Sequence, residues 1–264
     1  MPFTRPRHWL RWLIGAVVVV AALAAAGPFI YIHFFNAAPS ALSLTPGSSS
    51  SASAPSVGTA SSAGTATANT AASGAVAGTW TVGSGSVVGY RVNEVLLGQN
   101  ATAVGRTTSV AGHLTIAGTA ATAASFSVPM DTIHSDKSQR DAQFDGRIMD
   151  VAQYPTGTFT LTSPIDLGSP PPAGVIKSYT AHGKLTLHGT TRAVTFTLTA
   201  ERSAAERSAA KHGAAQHGGN QIEVAGDIPV LFSDFSIQNP SFVGFVTTQD
   251  HGLLEFLLVF TKAS

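Results

Sequence analysis

The sequence predicts an all-β domain that begins near residue 79 and follows an apolar helix and a low-complexity linker. After residue 79, apolar and polar residues alternate with a period of two in many short segments, which is typical of half-buried antiparallel strands. Residues 13–35 are almost wholly apolar, and residues 36–78 are almost wholly Ala, Ser, Thr, Gly and Pro. Roughly seven to nine strands fit the pattern, which indicates a barrel or a sandwich.

Composition excludes several classes of function. The chain has 264 residues, a formal net charge of +1 and no cysteine. Disulfides, zinc–thiolate sites and thiol catalysis are therefore excluded, as is a lipid-modified N-terminal cysteine. The part of the chain that follows the N-terminal arginines is slightly acidic and has no basic face, so we predict no nucleic-acid partner.

The N-terminal segment predicts membrane attachment. Three arginines lie in residues 1–12, the predicted cytoplasmic N-terminus, and no charged residue follows in 13–35. A helix over 13–35 would be about 35 Å long, enough to cross a hydrocarbon core of about 30 Å. The positive-inside rule then predicts a single-pass signal-anchor that places the domain outside the cytoplasmic membrane. A cleaved signal peptide is the alternative, because residues 22–27 offer small side chains at suitable spacing.

Two segments of low complexity flank parts of the predicted domain. Residues 36–78 have few large apolar side chains, so we expect a flexible spacer with a root-mean-square span of about 35–40 Å. Residues 201–219 contain a direct repeat of E-R-S-A-A, whose period of five matches no amphipathic helix. We expect a hairpin insertion there within the domain 79–264, and a partner-docking arm is the alternative.

The strand pattern places large apolar side chains on one face. In 123–130 Phe126, Val128 and Met130 alternate with serines, and Thr residues alternate with apolar residues in 156–162 and 193–200. The final strand, G-L-L-E-F-L-L-V-F, is apolar on both faces except for Glu255, so we expect it to be covered outside as well as inside. Two short segments are predicted as helices. They are residues 93–98 and residues 136–149, the latter with Asp136 as its N-cap.

The domain resembles the YceI-like family of exported lipid-binding domains. The resemblance rests on W-T-V-G-S-G-S-V-V-G-Y-R-V at 80–92, on Arg140, Asp141, Phe144, Tyr154, Pro155 and Phe159, on G-K-L-T-L-H-G-T-T-R-A-V-T-F at 183–196, and on the apolar final strand. The run N-E-V-L-L-G-Q and the final strand look most like the actinobacterial branch. The resemblance implies an eight-stranded antiparallel, lipocalin-like barrel whose apolar cavity holds a polyisoprenoid chain, often an isoprenoid quinone. The 201–219 insertion and the membrane anchor depart from the usual pattern.

A cluster of charge between Asp136 and Asp150 raises the question of catalysis, because only 11% of the chain is charged. Asp141 and Asp145 lie one helical turn apart and would suit an acid/base pair. The sequence favours a second interpretation, in which the charges fix a short helix at the barrel rim. The predicted structural rim residues are Arg140, Asp141, Asp145, Tyr154 and Pro155.

We therefore predict a lipid-binding domain with no catalysis, no metal and no cofactor other than a bound polyisoprenoid or isoprenoid quinone. No H-E-x-x-H or H-x-H spacing and no G-x-S-x-G elbow is present. The predicted cavity-lining residues are Leu96, Leu97, Phe126, Val128, Met130, Phe144, Ile148, Phe159, Leu161, Phe196, Leu198 and Phe256. The alternatives are an adhesion or structural envelope domain with a filled core and, less favoured, a hydrolase or metal enzyme that uses the Asp/His set.

Overall fold

The structure of this chain is a computed structural model, and it describes residues 17, 38–44, 76–96, 98–169, 172–203, 221–241 and 246–263. The strands are β1 (Gly78–Val82), β2 (Val87–Leu96), β3 (Gln99–Thr107), β4 (Ala111–Ala117), β5 (Ala120–Pro129), β6 (His134–Ser135), β7 (Thr156–Leu161), β8 (Ile165–Asp166), β9 (Lys177–Leu187), β10 (Thr190–Ser203), β11 (Gln221–Leu231), β12 (Val246–Thr248) and β13 (His251–Lys262). A helix α1 (Ser138–Gln143) runs directly into a π-helical turn (Phe144–Ile148), and 3-10 turns span Met130–Thr132 and Phe232–Phe235.

Eight of these strands form a closed antiparallel barrel. Their order is β1, β4, β5, β7, β9, β10, β11 and β13, and β13 pairs with β1 to close the ring. Closure leaves no unpaired strand edge in the ring. The all-β, eight-stranded architecture predicted from the family resemblance is thus confirmed.

The strand β13 is long enough to pair with two strands in succession. Its C-terminal part pairs with β1 at Trp80–Val82, and its N-terminal part pairs with β2 at Val87–Arg91. The strand β2 then continues past the ring, pairing with β3 on one side and with β12 on the other. This extension makes the barrel wall longer on one side, at the end that carries α1.

The helix predicted over 93–98 is wrong. Residues 93–96 belong to β2, where each pairs with a residue of β3 and where 94–96 also pair with β12. Apolar and polar residues alternate here only over a few positions, so local sequence did not distinguish a helical turn from a strand. The hydrogen bonds of two neighbouring strands determine the conformation.

The helix predicted over 136–149 is confirmed as α1 and the π-helical turn. The predicted N-cap is wrong, because the capping position is Lys137 and no side chain caps the helix. Asp136 instead pairs through its carboxylate with the Arg140 guanidinium, four residues later. Met149 N donates to Phe144 O at 2.9 Å, which closes the π-type turn and brings both side chains into the core.

Inward-facing side chains form two buried clusters, one towards each end of the barrel. One buried cluster, which we call the cap-end cluster, includes Met130, Phe144 and Phe235 beneath α1. A second, the distal cluster, includes Trp80, Ile116 and Phe260. Trp80 is fully buried, and its indole Nε1 donates to Val76 O at 2.8 Å, which fixes the chain as it enters the barrel.

Close approach between strands requires glycine beneath two aromatic rings. Tyr90 pairs with Gly105, where a Cβ atom would lie 2.4 Å from the tyrosine ring. Phe126 pairs with Gly112, where a Cβ would lie 2.5 Å from the phenyl ring and 2.3 Å from Ser125 O. Both rings pack closely against the glycine of the neighbouring strand, which strengthens the sheet at these positions.

The outer face of β13 is covered, as predicted. Glu255 is only 3% exposed and accepts hydrogen bonds from Arg91 and Arg106, which lie on β2 and β3. Residues 38–44, which fall within the predicted spacer, lie against the same face. The spacer thus includes a segment docked on the barrel, and we call residues 38–44 the strap.

The remaining N-terminal and insertion predictions fall largely outside the described residues. Of the predicted span 13–35 only Val17 is described, and no helix in the described part of the chain is long and apolar enough to cross a membrane. Residues 204–220 are likewise outside it, and β10 and β11 flank them as a paired hairpin.

Candidate functional site

An elongated cavity of about 660 Å³ runs through the barrel. Its walls come from both buried clusters, so it extends from beneath α1 to the distal end. The volume lies within the range of about 300–1,000 Å³ that is typical of small-molecule pockets. The barrel is therefore hollow, which contradicts the filled-core alternative.

A belt of phenylalanine rings surrounds the middle of this cavity. Phe126 stacks on Phe159 with ring centroids 6.2 Å apart, and Phe159 meets the edge of Phe196 at 5.5 Å. Phe196 in turn meets Phe256 edge-on at 5.8 Å. The four rings come from β5, β7, β10 and β13, and they lock one another in place. The belt forms a rigid apolar band around the middle of the cavity.

The mouth of the cavity lies at α1. Among the described lining residues, the only exposed ones are Gln139, Gln143 and Arg147. All three lie on α1 or the π-helical turn, which together (138–148) we call the helical cap. Just inside, Phe144 stacks on Tyr90 with centroids 5.1 Å apart. Burial raises the pKa of the Tyr90 phenol above its ordinary value, so this group stays neutral. Polar side chains thus surround the opening, and apolar surface begins immediately below it.

Hydrogen bonds attach the helical cap to the wall of the barrel. Arg140 Nη2 lies 3.3 Å from Glu94 Oε1 on β2. Asp141 Oδ1 accepts from both the backbone N and the Oγ of Ser135, at 2.8 and 2.6 Å, which ties α1 to β6. Arg147 donates to Pro240 O at 3.3 Å on the opposite side of the mouth. The charges therefore hold the cap in place.

Asp145 also belongs to this group of charged residues, but its carboxylate is not fully hydrogen-bonded. Its Oδ1 is buried and accepts no hydrogen bond within the described part of the chain. Burial, and then the neighbouring Asp141 carboxylate, raise the pKa of Asp145 above its ordinary value. The charged form of Asp145 is therefore disfavoured in this position.

Comparison with known proteins identifies the family. The sequence profile of the YceI-like domain matches residues 80–260. This chain belongs to the YceI-like domain family. A search of curated protein sequences found no match.

Solved structures resemble the YceI-like domain in fold. A polyisoprenoid binding domain from Saccharophagus degradans, implicated in plant cell wall breakdown, superposes with a TM-score of 0.53 at 14% identity, covering 71% of this chain and 99% of that one. Burkholderia cenocepacia BcnA matches with a TM-score of 0.47 at 21% identity, covering 65% and 96%. The Campylobacter jejuni YCEI protein gives 0.42 at 12% identity, covering 61% and 84%.

The predicted lining residues of the YceI-like domain converge on the one cavity. Leu97 lies outside the described residues. The structure places the other predicted residues on the cavity wall, and these are Leu96, Phe126, Val128, Met130, Phe144, Ile148, Phe159, Leu161, Phe196, Leu198 and Phe256. Their contact with a lipid stays a prediction.

Sequence reasoning missed much of the distal half of the cavity. That half is lined by Leu114, Ile116, Ala121, Ile222, Leu258 and Phe260. The period-two pattern of H-L-T-I-A in β4 was a usable signal for Leu114 and Ile116.

The far end of the cavity also carries polar groups, because Tyr179, Glu201 and Arg202 line it. Burial raises the pKa of the Tyr179 phenol.

The remaining predicted rim residues turn the chain into β7. The ring of Tyr154 packs edge-on against His188, with centroids 4.6 Å apart, and covers the β9–β10 turn at Gly189. Pro155 O accepts a hydrogen bond from Met130 N at 2.9 Å, just before β7 begins. Both residues lie beside the cap, where they join the β9–β10 turn to the end of β5.

The arrangement gives little support to catalysis by the Asp/His set. Within the described residues, no group of three or more His, Asp or Glu side chains is placed to hold a metal ion. Asp141 accepts two hydrogen bonds from Ser135 at one oxygen, and His134 Nδ1 lies 3.6 Å from the other. The carboxylate is thus engaged in holding the cap.

Proposed function

We propose that this YceI-like domain binds one amphiphilic polyisoprenoid lipid, such as an isoprenoid quinone, and sequesters or carries it without catalysis. The observation that carries the proposal is the hollow barrel, whose lining is predominantly apolar between a polar mouth and a few polar groups at the far end. An amphiphile would place its chain along the phenylalanine belt and its headgroup by Gln139, Gln143 and Arg147. The polyisoprenoid-binding domain from Saccharophagus degradans, which shares the fold, supports this class of ligand.

The cavity is large enough for hydrophobic burial to supply useful affinity. Burying a CH₂ group contributes about 0.8 kcal/mol, so ten buried carbons would contribute about 8 kcal/mol before ordering costs. Binding of this kind needs no covalent link and no buried charge. It would select for an apolar chain of suitable length more strongly than for a particular headgroup.

We further propose that the barrel acts outside the cytoplasmic membrane, anchored through residues 13–35. The proposal rests on the apolar composition of 13–35 and on the arginines that precede it. Anchoring would keep the barrel near a bilayer, where polyisoprenoid lipids are found because of their low solubility in water.

The direct test is to identify what the purified protein contains. The full chain is extracted from membranes in mild detergent, and its organic extract is analysed by liquid chromatography and mass spectrometry. We expect an isoprenoid lipid in near-stoichiometric amount that is lost after delipidation and recovered on incubation with menaquinone or ubiquinone. Protein that is lipid-free as isolated and also takes up neither quinone would rule the proposal out.

A further inference from the structure

The strap lies on the outer wall of the barrel and is held by two arginines. Arg91 Nη2 donates to Pro39 O at 2.7 Å, and Arg106 Nη2 donates to Ser40 O. Further along the strap, the side chain of Leu44 is buried. The strap therefore contacts the barrel through its backbone carbonyls.

The two arginines are themselves fixed by a buried carboxylate. Arg91 Nε lies 3.1 Å from Glu255 Oε2, and Arg106 Nη2 lies 2.6 Å from Glu255 Oε1. Each guanidinium thus bridges Glu255 and a strap carbonyl. Hydrogen bonds to charged groups are stronger than neutral ones, and those whose partner is buried are the most costly to break. The site that receives the strap is built from side chains of β2, β3 and β13.

The strap has a defined direction along the barrel. Ser40 is bonded to Arg106, which pairs with Gly89 near the start of β2. Ala38 and Pro39 instead line a small surface cavity with Glu94 and Arg140, beside α1. Followed towards the N-terminus, the chain therefore leaves the strap at the end of the barrel that carries the cap.

The mouth of the large cavity is at this same end. Within the described residues, the exposed lining side chains lie on the helical cap, and Arg140 of the cap contributes to both cavities. Only residues 36 and 37 separate the strap from the end of the apolar stretch at Phe35. Three Cα–Cα steps of 3.8 Å span at most about 11 Å, which is far shorter than the spacer expected from composition.

We propose that the strap holds the barrel with its mouth against the lipid surface in which residues 13–35 are anchored. This orientation rests on the membrane anchoring proposed above. A lipid would then pass between the bilayer and the cavity without crossing water. The partner of the helical cap is the bilayer surface itself, and residues 45–75 do not set the distance between mouth and membrane.

The orientation can be tested with single-cysteine probes, because the natural chain has no cysteine. Ala142→Cys places a fluorophore on exposed surface of α1, and Thr119→Cys places one on the exposed β4–β5 turn at the distal end. The full chain is reconstituted in phosphatidylethanolamine/phosphatidylglycerol vesicles that contain an acceptor-labelled lipid. We expect strong energy transfer from position 142 and weaker transfer from position 119.

Two matched insertions test whether the short connection before the strap sets the orientation of the barrel. A flexible Gly/Ser insert of about 20 residues, which spans about 25 Å, is placed either between Asn36 and Ala37 or between Ser50 and Ser51. The first should abolish the difference between the two probes, and the second should leave it unchanged. Equal transfer from both probes in the natural chain, or equal effects of the two inserts, would overturn the proposal. Lipid content, measured in parallel, reports on the barrel's ligand independently of this outcome.

Discussion

Asp141 joins the helical cap to the edge of the sheet through a single carboxylate oxygen. That oxygen accepts two hydrogen bonds from Ser135, whose β6 segment pairs with β3. The side chain is largely buried, with 18% exposure, so water replaces these bonds poorly. Polar contacts of this type hold the helical cap against the wall of the barrel.

Replacing Asp141 should distinguish its hydrogen bonds from its charge. We expect Asp141→Ala to lower the free energy of unfolding by about 1–3 kcal/mol, because the Ser135 donors lose their acceptor. Asp141→Asn keeps an acceptor oxygen and should cost less than half as much. Urea unfolding gives both values, and amide hydrogen exchange at Ser135 should accelerate in the alanine variant. Equal costs for the two variants would contradict this role.

Asp145 should make the protein less stable as the pH rises. Its pKa is raised in the folded state, so the fold retains this proton at a pH where the unfolded chain releases it. Stability therefore falls as the pH rises from the ordinary aspartate pKa through the folded-state pKa. Asp145→Asn removes this loss, and we expect the variant to gain stability over the natural protein at pH 7 but not at pH 3. Urea unfolding at both pH values checks this. A stability difference independent of pH would contradict it.

At the level of elements, pairs of strands set the shape of the cavity. A ring that packs against a glycine on the next strand, as Phe126 does against Gly112, stays close to the wall of the barrel. The same arrangement at Tyr90 and Gly105 supports the stack on Phe144 beneath the mouth. The phenylalanine belt therefore depends on backbone positions that sequence patterns of apolar residues do not reveal.

A methyl group at Gly112 should disturb the belt. Gly112→Ala would bring Cβ to 2.3 Å from Ser125 O and 2.5 Å from the Phe126 ring, so the strands or the ring must move. We expect a loss of about 1–3 kcal/mol, as for other overpacked sites. Gly146→Ala is the control, because nothing lies within 4 Å of its Cβ position. Thermal or urea unfolding that leaves both variants equally stable would contradict the account of the belt.

The sequence predicted the elements whose local pattern matches their final environment. Phe126, Phe159 and Phe196 alternate with small polar residues, and all three face the cavity. The segment 93–96 was mispredicted because its conformation is decided by pairing with β3 and β12. The strap was missed because its own composition is featureless, while Arg91, Arg106 and Glu255, which define its site, are remote in sequence.

At the level of the whole molecule, the barrel combines a closed ring of strands with an interior that side chains do not fill. Barrels of eight strands enclose just enough space either for packed side chains or for one small ligand. Here the phenylalanines and aliphatic residues form the wall of a cavity of about 660 Å³. A cavity of this kind is costly for an empty protein, because its walls lose contact with partner atoms. A bound apolar chain restores those contacts.

The claim that a lipid fills this cavity is tested most directly by native mass spectrometry of the full chain and two matched variants. Ala124 lines the cavity, whereas its neighbour Ala123 is exposed on the outer face of β5. The natural protein and Ala123→Phe should both carry one isoprenoid-sized mass increment. Ala124→Phe should remain folded, because its ring enters empty space, and should lose most of the bound lipid. A natural protein without bound lipid, or an Ala124→Phe variant that retains lipid as fully as Ala123→Phe, would contradict the claim.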